Sequence, residues 1–236
     1  MKKVFIVLFS FFILLLISAS VQRSVLAEDS DDDSLTPTVS KMRFDRLKEN
    51  REDRIEKRHE RREEFKDKVE ARREAIKDKM EDRREALKEK LEEFRDKKKA
   101  KITERISDNL NKINEKRVEA MTRHLDRIEE ILGKVEDRTA EAREDGKDVS
   151  EIEVKIAEAK SVIEGARGAV STQAGKDYTL VVSDEGTVAQ EAKEMRDKLH
   201  EDLKAVHELI VVARKAVSDT IRTAYSSLGK ENVDNE

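Results

Sequence analysis

Four histidines, His59, His124, His200 and His207, are the first residues in this 236-residue chain with types suited to chemistry. No two of them stand four apart, so the paired-histidine arrangement of a helical zinc site is missing. His200 and His207 share a helical face, but at roughly 10.5 Å along the axis they are too far apart to ligate one ion from a straight helix. Paired carboxylates abound, yet they fall where little apolar surface is present to raise a pKa and make a general acid. The chain has no cysteine, which removes a thiolate ligand, a cysteine nucleophile, a lipidated cysteine and a disulfide framework. Serine and threonine gather at segment ends with no nucleophile elbow. Gly165 and Gly168 (GARG) lie inside a helical pattern without a preceding strand, so close helix packing is expected there rather than a phosphate loop. These residues predict no catalytic centre, no cofactor and no metal site, and the expectation is a non-enzymatic protein.

The elements carrying them are unusually charged. Asp, Glu, Lys and Arg make up 44% of the chain, against about 25% in ordinary domains, while aromatics are 4% and proline occurs once. This composition excludes a conventional α/β or β-sandwich core along most of the length and favours an all-α fold. At the N-terminus Lys2 and Lys3 precede an apolar run, Val4 to Ile17, and a polar stretch ending in Ala27. That is the three-part form of a secretory signal peptide over residues 1–27, cleaved after Ala27; uncleaved, it would serve as an N-terminal anchor. The expected location is therefore exported: periplasmic, extracellular or envelope-associated. Residues 28–42 form an acidic leader that holds Pro37, has no EF-hand spacing and is expected to be disordered.

From Arg43 to Asp108 the chain divides into six blocks of eleven, among them FKDKVEARREA and IKDKMEDRREA. Apolar residues recur at the first and fifth positions as Phe65, Val69, Ile76, Met80, Leu87, Leu91 and Ile102. Eleven residues over three turns keep these in one narrow stripe on a nearly straight helix. Basic residues edge the stripe: Lys66, Lys68, Arg72, Arg73, Lys77, Lys79, Arg83 and Arg84. Acids occupy the opposite face. This segment, 43–108, holds 25 basic and 21 acidic side chains and reads as a charged helical stalk, about 150 Å long if it runs unbroken to Arg143.

Beyond Asn109 the spacing changes to threes and fours. Val118, Met121, Leu125, Ile128 and Leu132 form one seam, which Gly146 ends. Ile156 and Ile163 belong to a second seam; Leu199, Val206 and Ile210 belong to a third. Asp148 with Glu151, and Thr187 with Gln190, have capping-box spacing. The stretch GKDYTLVVSDEG, 175–186, is β-like but lacks a partner strand and reads as an extended connection. Together these predict an antiparallel three-helix coiled-coil bundle over 109–232, with helices near 109–145, 149–174 and 187–228, and a disordered tail at 233–236.

The stalk's layout, a basic-edged apolar stripe with acids opposite, resembles the lipid-binding helices of exchangeable apolipoproteins, which implies contact with a membrane surface. Two apolar residues per eleven make a narrow face, so only weak lipid affinity is expected. The full-length acidic band argues against nucleic acid. The function expected is that of a spacer, scaffold or protein-interaction module of the cell envelope, with envelope proteins or a second copy as partners. The alternative is a periplasmic holdase, similar in composition and length to the tentacled helical chaperones, with client proteins as partners.

Overall fold

The computed structural model describes residues 37–229. The proposed signal segment with Ala27, the leader as far as residue 36 and the tail from residue 230 lie outside the described residues. Four helices follow one another: α1 (Pro37–Glu92), α2 (Lys97–Glu144), α3 (Ser150–Ala174) and α4 (Val188–Gly229), with no strand among the described residues. Residues 37–42, expected to be part of a disordered leader, are helical, and Pro37 opens α1, where its fixed φ suits a first helical turn.

The expected unbroken stalk does not form. Residues 93–96 interrupt it, and α1 returns along α2, so α1 joins the three expected helices as a fourth. Phe94, inside the turn, is buried, and the Asp96 side chain caps α2 by accepting from Lys98 N and Lys99 N. Glu185 reaches across to accept from Arg95 N. The driving force is the apolar stripe. A straight stalk would leave it in water, whereas folding back buries Phe65, Val69, Leu87 and Leu91, worth about 6–12 kcal/mol together.

The hydrophobic interior is in two parts. One cluster joins Phe65 and Val69 of α1 to the seams of α2, α3 and α4, including Val118, Leu125, Ile163, Val170, Val206 and Ile210. The other joins Leu87, Leu91 and Phe94 to Ala100, Leu110, Tyr178, Leu180, Val182, Val188 and Leu199. The order of these residues makes consecutive elements antiparallel: α1 and α3 run one way, α2 and α4 the other. At 25 residues α3 is about half as long as α2 at 48. The β-like connection fills the missing length, burying Tyr178, Leu180 and Val182 in the second cluster.

The helix ends follow their local chemistry. Gly146, at φ 79°, ends α2 in the left-handed conformation, and Lys147 N closes back on Ala142 O. Neither expected capping box forms as spaced. Asp148 accepts from Ser150 N and Oγ, one residue ahead of the N-cap Val149, while Glu191 rather than Gln190 reaches the Thr187 hydroxyl. Gly165 and Gly168 are not sites of tight helix contact, since a Cβ on either would meet open space.

Candidate functional site

The stripe residues are treated differently along α1. Phe65, Val69, Leu87 and Leu91 are buried; Ile76 and Met80 are half-buried. Ile102 is 51% exposed, because the turn at 93–96 puts it on α2 outside the packed face. The expected seam residues Val118, Met121, Leu125, Ile128, Leu132, Ile156, Ile163, Leu199, Val206 and Ile210 are all buried. That α2 seam extends toward its N-terminus through Ala100, Thr103, Ser107, Leu110 and Asn114, a stretch the apolar pattern missed because three of the five are polar.

The basic edges also divide. Arg73 lies 3.8 Å from Glu119 and donates to Glu115 O; Arg83 pairs with Asp177 at 2.9 Å and Arg84 with Asp108 at 3.7 Å. Lys66 pairs with Glu63 on its own helix. Lys68, Arg72, Lys77 and Lys79 form no ion pair among the described residues. Toward the start of α1 the pairing continues with Arg43 on Asp145 and Arg54 on Asp137. As the arginine advances along α1, its carboxylate retreats along α2, the register of an antiparallel hairpin.

Two groups of charges have buried members. Arg167, 3% exposed, donates to Glu129 at 2.8 Å and to Asp126 at 3.3 Å, and its guanidinium lies 4.9 Å from the centre of the Phe65 ring. Arg61 and Arg62 approach the same Glu129 at 3.2 and 3.4 Å. Burial pushes the Asp126 carboxyl up, with Arg167 opposing. Further along, Asp137 gathers Arg51, Arg54 and Arg58, while Glu136 takes Lys160 at 3.0 Å. Sequence reasoning missed Arg167. The available signal was Glu129, an acid directly after seam residue Ile128.

Between the two apolar clusters lies a polar layer. The Tyr178 hydroxyl donates to Asp202 at 2.8 Å and accepts from Gln173, which also donates to Asn114. Asn111 accepts from Tyr178 N and donates to the Thr179 hydroxyl. Burial, followed by the bond to Asp202, raises the tyrosine pKa, so the phenol stays protonated and is not available as a base. Burial works to raise the Asp202 pKa, but the bonds from Lys176 and Tyr178 outweigh it and hold it low.

Beside this layer α1 bridges open space. A cleft of about 800 Å³ lies between α1 and α2, lined by Val69, Arg73, Lys77, Met80, Arg84 and Glu119 among others. A second of about 390 Å³ is lined by Ile76, Asn111, Asn114, Ala174 and Lys176, and shares Arg73, Met80 and Arg84 with the first. All four histidines are exposed, and no three His, Cys, Asp or Glu side chains converge on a metal-binding arrangement among the described residues. No helix among them is long and apolar enough to cross a membrane. The chemistry available to the paired charges is to hold helices together; the clefts are where a second molecule could lie. No protein-family model matches the chain, nor does any curated protein or solved structure.

Proposed function

We propose that the chain is an exported, non-enzymatic helical protein of the cell envelope that binds a partner protein in the cleft along α1. The observation that carries this reading is the interrupted stripe. Ile76 and Met80 repeat the positions of Phe65 and Val69, yet they remain half-buried over open space while residues on either side are fully packed. The cleft lining holds six basic and five acidic side chains, a near balance that favours a protein over an anionic lipid surface. Export rests on Lys2, Lys3 and the apolar run that ends at Ile17. A spacer role is weakened by the fold-back, since α2 spans about 72 Å where a straight stalk would span about twice that.

Photo-crosslinking in the source cells tests this reading. A crosslinking residue at Met80 is expected to give a discrete adduct, and one at the outward Asp67 none. Identical patterns from the two positions would overturn it.

A further inference from the structure

Residues Glu93, Phe94, Arg95 and Asp96, which join α1 to α2, include neither glycine nor proline, and no non-glycine residue among those described has positive φ. Nothing in their chemistry forbids a helix. The eleven-residue repeat also passes through them without a change of phase, since Leu87, Leu91 and Ile102 keep their first and fifth positions across the turn. A continuous helix would set Ile102 in line with Leu91, three turns on, instead of leaving it 51% exposed. The closed turn is held by the burial of Phe94 and by Glu185 on Arg95 N, and locally by the Asp96 cap on Lys98 N and Lys99 N and by Lys97 Nζ on Glu92 O. The ties from α1 to α2, such as Arg43 with Asp145 and Arg54 with Asp137, run from side chain to side chain. Each can therefore be made between two chains as well as within one.

We propose that this protein also forms a domain-swapped dimer in which residues 93–96 become helical and α1 of each copy packs in the place vacated by α1 of the other. The occupant of the vacated surface is a second copy, because only α1 carries arginines in the register of Asp108, Glu129, Asp137 and Asp145. The proposal is independent of what binds in the α1 cleft. Exchange of an identical element keeps every interface of the closed form, so the two states differ chiefly at the hinge and in concentration.

Two hinge substitutions in the full chain act in opposite directions. Asp96→Ala removes a cap worth about five-fold, twice per dimer, and should move the equilibrium about twenty-five-fold toward dimer in light scattering after refolding at high concentration. Lys97→Pro should abolish the dimer while lowering the monomer's melting only slightly, since the one contact it removes, Lys97 Nζ to Glu92 O, is exposed. Proline suits the first position of α2, and Asp96, at φ −88° and ψ 98°, already has the extended conformation that a following proline requires. Since the chain has no cysteine, mixing Arg43→Cys chains with Asp145→Cys chains shows whether the contact is exchanged: a short thiol crosslinker should join the two chains in the dimer fraction. The same adduct can be sought with hinge-wild-type chains if Asp96→Ala does not fold. A dimer that persists in Lys97→Pro, a dimer with no interchain adduct, or no dimer at all would overturn the proposal.

Discussion

Arg167 is the residue on which most of the buried charge converges. Its side chain is balanced by Glu129 and Asp126, and the excess guanidinium charge from Arg61 and Arg62 lies nearer the surface. Buried pairs of this kind contribute little net stability, but they penalise any packing that separates the partners. Gly133 shows the same economy of space. A Cβ there would come within 2.7 Å of the Arg58 guanidinium, which pairs with Glu136 and Asp137. Gly133→Ala should therefore lose in the native background much of the helix-propensity gain of about 1 kcal/mol that it shows in an Arg58→Ala background. Chemical denaturation of the four proteins of this cycle checks it; equal effects in both backgrounds would show that Arg58 is not packed on Gly133. Neither contact could be read in the sequence. An arginine within a GARG run and a glycine within a helical seam acquire their meaning from α1, whose position no local pattern specifies.

At the scale of elements, the three seams of α2, α3 and α4 were legible because each keeps a spacing of three and four over several turns. The polar layer was not, since Asn111, Asn114 and Gln173 look like surface residues until their partners are known. The eleven-residue stripe of α1 was legible as a stripe, while its cover was not, because a repeat fixes which face is apolar and says nothing about what lies against it. Charge attaches the beginning of α1: among the described residues no hydrophobic side chain before Phe65 is buried, and Met42, Phe44 and Ile55 are exposed. Exposed ion pairs contribute at most about 1 kcal/mol each, so the hold of α1 on the body depends on Phe65 and the apolar residues after it. Phe65→Ala should accordingly destabilise the whole bundle by about 3 kcal/mol, lowering its melting temperature by roughly 10 °C. If the melting of α2, α3 and α4 were unchanged, α1 would have to be an independent helix.

At the scale of the whole molecule, the all-helical class follows from composition, whereas one helix continued through residues 93–96 does not form. That segment has no helix breaker, so the sequence pattern is compatible with both a straight and a folded-back chain. The burial of four stripe side chains decides against a straight chain on its own and, within a single chain, requires the hairpin. In the monomer α1 therefore lies antiparallel to α2 within one chain. Spin labels at Asp45→Cys and Glu141→Cys, both exposed, measured on the monomeric fraction, test it most directly. A folded-back α1 predicts an interlabel distance under about 30 Å, given helices packed about 10 Å apart and label arms of similar reach. A distance beyond about 100 Å, as a straight helix of that length requires, would contradict it.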